Sequence, residues 1–331
     1  MDDATRHGYV SEKEYEFHET EINGIIRVAT TASTHHEDMI SFHPETHGII
    51  RRSISTDFER ASDFELGPLD EIPIELSHEI MSLLDMKSIF NFRQVSRSSR
   101  RLVDSFYQYQ RVASHGLDLF CALLRTDFAT EVSLYGFHEM LCAKTCNSCG
   151  RFGAYVLIVP WKRYCYECIR SAESPVTRFL PVQWVQTRFM MTEPELARLK
   201  TFKTLPGIYT LADIQYERRI EITTLDEVAV ACGREVSTQK MPCEEYLCYT
   251  YPFMSSCRLP YYNDQTGQAE GTLMCMGCYE DWNSLMFFAY PWNYLSGKRG
   301  LEYGRDEFLE HFKLCKAAQS LWEDTVKKVN C

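Results

Sequence analysis

"TCNSCGRFGAYVLIVPWKRYCYECIR" (Thr145–Arg170) places Cys146 and Cys149 ahead of Cys165 and Cys168, a CxxC-x15-CxxC pattern. Zn²⁺ takes four soft or borderline ligands in a tetrahedron, and each CxxC turn supplies one edge of it. The residues between suit a β-hairpin: an apolar run, a turn at "PWKR", and a short return. Gly150 follows Cys149, where a knuckle often needs positive φ. Arg151, Lys162 and Arg163 lie close enough in sequence to offset the charge of four thiolates. Four protein ligands leave no position for water, so this zinc is expected to hold structure and not to catalyse.

The chain around this stretch has 331 residues, 14 of them Cys, with 45% hydrophobic residues and a formal net charge of -11. That length allows two domains or one large one with flanks. No apolar run is long enough to cross a bilayer, and the acidic start does not read as a signal peptide. An intracellular, soluble protein is expected. Its thiols then serve metal sites or stay free, since disulfides do not persist in a reducing compartment. The acidic balance argues against a nucleic-acid or membrane-surface binder, although Arg151, Lys162, Arg163 and Arg170 fall beside aromatics in the cysteine segment.

A second CxxC, Cys275 and Cys278 in "MCMGC", needs partners. His311 and Cys315 in "EFLEHFKLC" are four apart and would share one face of a helix. Together they would form a Cys3His site, giving one zinc with a second possible; Cys243, Cys248 and Cys257 are rival ligands. Cys121, Cys142, Cys232 and Cys331 read as buried or incidental thiols.

Residues 1–64 carry 13 Asp/Glu against 6 Lys/Arg and six of the ten histidines. They lack long apolar periodicity and are expected to form a disordered acidic tail, with a short strand at "GIIRVATT". His35, His36, His43 and His47 are not taken as a metal site, because Pro44 spoils an i,i+4 helical pair. Three short helices are expected over residues 65–111. Leu76, Ile80, Leu83 and Leu84 share one face of the first, which Pro73 opens. Asp85 caps a second helix carrying Ile89, Phe90 and Phe92, and Ser96 caps a third with Leu102, Val103 and Phe106 inward. Such a small unit needs a partner or neighbouring domain to cover it.

Residues 112–331 read as a mixed domain. Leu117, Phe120, Leu123 and Leu124 mark a helix. Thr192 and Glu195 form a capping box. "LPGIYTL" reads as a turn, and "TTLDEVAVACGRE" as a helix closing on Gly233. Aromatic strands and loops are expected over 250–300, then a long C-terminal helix over 305–328. The fold class is therefore α+β: a three-helix unit, then a mixed helical domain with zinc-ribbon-like hairpins. There is no phosphate-binding glycine loop, no GxSxG and no HExxH, and no catalytic residues are assigned.

The helical unit resembles an F-box. The likeness rests on Leu69, the Ile72–Pro73 step, Leu76, Ile80, the Leu84–Asp85 pair, Ile89 and "VSRSSRRL" (Val95–Leu102). Ile72 replaces the usual Leu, and Ser99 stands where a large residue is common. The order of cysteine motifs over residues 66–325 is also similar to a group of fungal F-box proteins. The resemblance implies a non-catalytic substrate receptor of a Skp/cullin/F-box ubiquitin ligase. Leu69, Ile72, Pro73, Leu76, Ile80, Leu84 and Ile89 would contact the Skp-type adaptor or support the contacting surface, and the remainder would recruit an unknown protein target. A zinc-ribbon module acting outside a ligase is the alternative. A self-acting RING ligase is disfavoured, because the two candidate sites are far apart in sequence and no Cys-x-His step is present.

Overall fold

The computed structural model describes residues 13–32, 41–42, 48–56, 67, 71–170, 178–209, 215–236, 247–280 and 302–329. In chain order these form α1 (Ile22–Ala29), β1 (Thr30–Ala32), β2 (Ser41–Phe42), α2 (Gly48–Ser55), α3 (Ile74–Leu83), α4 (Met86–Val95), α5 (Arg97–Asp104), α6 (Tyr107–His115), α7 (Leu117–Arg125) and α8 (Leu134–Cys142). The hairpin strands β3 (Tyr155–Leu157) and β4 (Lys162–Tyr164) follow, then α9 (Tyr166–Arg170), β5 (Phe179–Pro181), α10 (Val182–Phe189) and α11 (Glu193–Arg198). Next come β6 (Phe202–Lys203), β7 (Gly207–Ile208), β8 (Gln215–Tyr216), β9 (Glu221–Thr224), α12 (Leu225–Cys232) and α13 (Leu247–Met254). The chain closes with β10 (Ser256–Arg258), β11 (Tyr261–Asn263), β12 (Gln268–Glu270), β13 (Leu273–Cys275), β14 (Glu302–Tyr303), α14 (Arg305–Leu314) and α15 (Lys316–Val329). The fold is mixed α+β, with helices dominant and the strands gathered into small sheets.

Contacts divide the chain into two compact units. One comprises Asp38–Cys149 and Gly153–Ala269; the other comprises Met1–Glu37, Gly150–Phe152 and Glu270–Cys331. In the larger unit α7 is central. It buries Leu119, Phe120, Cys121, Ala122 and Leu123, more than the single stripe expected of it, as befits a helix covered on several sides. Local chemistry sets the helix starts nearby. The Asp85 carboxylate accepts the Ser88 N–H at 2.9 Å, and the Ser96 hydroxyl accepts the Ser99 N–H at 3.0 Å, satisfying amides that have no helical partner. The turn between α3 and α4 is tied to the start of α8, because Met86 N–H donates to the Val132 carbonyl and Leu134 N–H to the Leu84 carbonyl.

Arg93, on α4, is 1% exposed and grips Asp104, at the end of α5, with Nε at 2.6 Å and Nη2 at 3.1 Å from the two carboxylate oxygens. The same guanidinium donates to the carbonyls of Ser53 and Thr56 at the C-terminal end of α2. It therefore satisfies helix-end carbonyls and a buried charge together. Arg51 of α2 also pairs with Asp118 of α7. Residues 48–56, expected to lie in a disordered tail, thus form a helix locked onto the helices that follow.

In the smaller unit β1, β13 and β14 form one antiparallel sheet, with Thr30 opposite Cys275 and Leu273 opposite Tyr303. Its core joins Ile25 and Ala29 of α1 to Phe308 and Phe312 of α14 and Ala318 of α15. Gly24 lets α1 approach α15: a Cβ there would lie 2.8 Å from the Trp322 ring. Here the structure again differs from the expected tail. The strand expected at "GIIRVATT" is mostly the helix α1, because Ile22, Ile25, Ile26 and Ala29 recur at helical and not at strand spacing.

Two other expectations are corrected. The long C-terminal helix is two helices, α14 and α15, broken at Cys315, whose backbone is extended at φ -90° and ψ 97°. "LPGIYTL" contains a strand, β7, whose Gly207 and Ile208 pair with β2 and β8. Long-range pairing overrides the local turn preference of its Pro and Gly. The Thr192–Glu195 capping box and the helix closing on Gly233, at φ 62°, form as expected.

Candidate metal centres and docking face

The first cysteine group is built by the hairpin. β3 and β4 pair antiparallel, with Val156 opposite Arg163, and β10 adds to the other edge of β3. The turn between them, at "PWKR", contains a cis Val159–Pro160 bond. The return strand delivers Cys165 and, from α9, Cys168, to meet Cys146 and Cys149; Gly150 takes the expected positive φ of 75°. All four sulfurs lie within 4.8 Å of one another, with Cys149 and Cys165 at 3.6 Å. Thiolates on a tetrahedral zinc lie about 3.8 Å apart, whereas disulfide sulfurs lie about 2.0 Å apart. The group could therefore hold a metal ion.

Arg163 does not act as expected. It is 1% exposed, and its guanidinium donates to the carbonyls of Met140, Gly153, Leu259, Pro260 and Leu141. Its task is to tie the hairpin to the end of α8 and the loop after β10, and burial pushes its pKa down to about 9. A guanidinium taken up by backbone carbonyls is not presented to a phosphate, so the basic cluster of the cysteine segment loses one of its four members.

The second group is assembled from distant residues. Cys275 ends β13 and Cys278 follows it in a knuckle whose Cys278 N–H donates to Cys275 Sγ at 3.5 Å. Gly277 is required there: a Cβ would meet the Ala318 nitrogen at 2.4 Å. His311 projects from α14, and the helix break places Cys315 at its C-cap. They share one face at the end of α14, as the spacing suggested, because the Cys315 N–H still donates to the His311 carbonyl at 3.0 Å, and they converge on the knuckle. Cys278 Sγ is 3.4 Å from His311 Nε2 and 3.6 Å from Cys315 Sγ, and Cys275 Sγ is 3.9 Å from Cys315 Sγ. The separations for a tetrahedral zinc are about 3.6 Å for sulfur to nitrogen and about 3.8 Å for sulfur to sulfur. With Nε2 turned to the cluster, His311 Nδ1 lies 3.2 Å from the Tyr303 hydroxyl, and an ion on Nε2 would leave Nδ1 as the donor in that pair. This group also could hold a metal ion.

Each group stabilises one thiolate among thiols. A hydrogen bond from Cys165 pulls Cys146 down to about 4, and the same bond, with burial, pushes Cys165 far up. Hydrogen bonds from Cys275 and Cys278 hold Cys315 well below the usual thiol range, while Cys278 rises. Of the rival ligands, Cys257 sits apart from both groups, buried in β10 with its thiol pushed well up by burial. Cys243, the Cys248 side chain and Cys331 lie outside the described residues, as do His35, His36, His43 and His47. Cys121 is a buried thiol, raised by burial to about 12.

A third group escaped the sequence reading. His138, Cys142 and Asp264 place their ligand atoms within 4.8 Å of one another. The signal was present: His138-Glu-Met-Leu-Cys142 has the same H-x-x-L-C form as His311-Phe-Lys-Leu-Cys315. By sequence alone Cys142 reads as a buried or incidental thiol, the usual state of a free cysteine.

The remaining candidate residues lie at or near α3, and Leu69 lies outside the described residues. This helix buries only Met81. Leu76 is 50% exposed, Ile80 51% and Leu83 78%. Pro73 is exposed, Ile72 and Leu84 are half-buried, and Ile89 is a fully buried residue of α4. The expected apolar stripe of Leu76, Ile80 and Leu83 therefore faces solvent, while Ile89 does not. Among the described residues no helix is long and apolar enough to cross a membrane.

No curated protein and no solved structure matches the chain. Residues 69–111 match the F-box domain family, and those residues span the exposed stripe of α3 and the capped helices α4 and α5. The chain carries an F-box domain at residues 69–111.

Proposed function

We propose that this protein is a non-catalytic substrate receptor of a Skp/cullin/F-box ubiquitin ligase. The observation that carries the reading is the exposed row Leu76, Ile80 and Leu83 within the segment that matches the F-box family. A stripe of large apolar side chains left in solvent is a surface that gains from burial against a partner, at roughly 25 cal/mol per Å² removed from water. The partner is the Skp-type adaptor, to which F-box domains dock. Leu69, Ile72, Pro73, Leu76, Ile80 and Leu84 contact it, and Ile89 braces them. The adaptor places the chain inside the cell and links it to a cullin–RING ligase, while the residues after 111 recruit a protein target.

Both four-ligand groups bind zinc in this reading. Their support is the donor set, three or four cysteines with at most one histidine, and separations that match a closed tetrahedron. Bound there, zinc supplies no reaction; it pins the hairpin β3–β4 in one unit and the β13–α14 junction in the other. Affinity purification of the tagged chain under proteasome block tests the receptor reading. The Skp-type adaptor and cullin are expected at near-equal amounts with the bait, together with ubiquitinated targets. A bait that comes down free of adaptor from cells that contain it contradicts the reading.

A further inference from the structure

The geometry points to a third metal site, open where the other two are closed: His138, Cys142 and Asp264 hold a zinc-class divalent cation whose fourth position is left to solvent or an incoming ligand. His138 and Cys142 lie on the last turns of α8, and Asp264 lies in the turn between β11 and β12. His138 Nε2 is 3.9 Å from Asp264 Oδ1 and 3.9 Å from Cys142 Sγ. In a tetrahedral zinc site those separations are about 3.3 Å and about 3.6 Å, so the carboxylate must draw in by about 0.6 Å and the thiol by about 0.3 Å to close the site. Cys142 Sγ lies 4.0 Å from His138 Nδ1 as well, so the sulfur sits between the two ring nitrogens while Asp264 approaches Nε2.

The carboxylate is positioned from outside the cluster. Tyr107 Oη donates to Asp264 Oδ1 at 2.7 Å, and its ring meets the His138 imidazole edge-on at 6.1 Å. This is the kind of outer partner that orients a ligating carboxylate. The mixture of one thiolate, one imidazole and one carboxylate selects zinc and its neighbours over Mg²⁺ or Ca²⁺, which prefer oxygen alone. Charge also balances, since a thiolate and a carboxylate neutralise a divalent ion. The Asp264 side chain is 53% exposed while that of His138 is 11% exposed, so the ion would be held from the protein side and reached from the solvent side. The H-x-x-L-C form shared with the second group adds an independent signal, because there the same two residue types already meet two further ligands.

Elemental analysis of the full-length protein, purified with any adaptor it retains, tests this directly. Cys142→Ser and Asp264→Asn should each lower the zinc content by one equivalent per chain relative to the unsubstituted protein, with an unchanged melting profile of the remaining fold. Asp264→Asn guards against misfolding, since its side chain is exposed. After cobalt exchange, added imidazole should shift the visible bands of the unsubstituted protein and leave those of Asp264→Asn unmoved, because closed four-ligand sites have no position to offer. Equal metal content in the unsubstituted and Asp264→Asn proteins, or an imidazole response that survives the substitution, overturns the proposal.

Discussion

Helix α3 and the two four-ligand cysteine groups obey opposite rules. α3 exposes its large side chains and buries only Met81, whereas seven of the eight ligands in the two groups are withdrawn from solvent to some degree. Apolar residues left outside are stabilised only when a partner arrives, so their chemistry is deferred. Thiols gathered inside at 3.4–3.9 Å from their neighbours are organised already and need only an ion. In the proposed reading the difference separates a docking surface from the groups that keep the chain folded, so damage to one should leave the other working.

The largest effect should come from the cysteine side. Structural zinc contributes on the order of 10 kcal/mol in small zinc-held folds, comparable to the whole stability of a typical domain. Cys165→Ser should therefore unfold the hairpin region of the larger unit, and Cys315→Ser the smaller unit, each read by circular dichroism and limited proteolysis. Chelation should reproduce both. If Cys315→Ser instead leaves residues 302–329 as resistant to protease as before, the second group is packing and not a metal centre.

Arg163→Met should cost about 3–4 kcal/mol, measured by urea unfolding, because five carbonyl acceptors lose a buried donor. It sharpens the comparison by weakening the hairpin without removing a sulfur: metal content should hold while stability falls. A smaller effect, about 1 kcal/mol, is expected for Asp85→Ala, which deletes the cap of α4 next in sequence to α3. The smallest effect on stability, within about 0.5 kcal/mol, belongs to Leu76→Asp with Ile80→Asp, since exposed substitutions cost little. That same pair should nonetheless abolish adaptor binding.

The parts of this architecture that were legible in the sequence are those set by neighbours. Asp85, Ser96, Thr192 and Gly233 cap helices with atoms three or four residues away, so the chemistry is local. The first cysteine group spans one hairpin and could be read from spacing. The second was legible because an unaccompanied CxxC requires ligands and HxxxC offered them, though the break at Cys315 was not, since it depends on where the Cys275–Cys278 knuckle lies. Residues 13–32 and 48–56 looked like tail because each buries only a few side chains. Their order comes from Trp322 against Gly24, and from Arg93 reaching the carbonyls at the end of α2, neither visible locally. Arg163 misled for the same reason: its acceptors at Leu259 and Pro260 lie nearly a hundred residues away.

The α3 face is proposed to dock on a Skp-type adaptor independently of the cysteine groups. Titration of purified adaptor into the unsubstituted chain and into the Leu76→Asp, Ile80→Asp double variant, alongside a melting curve of each, tests it most directly. A one-to-one complex is expected for the first, loss of binding by at least about a hundredfold for the second, and superimposable melting curves for both. Binding of the double variant at the unsubstituted affinity, or no binding by either chain, would contradict it.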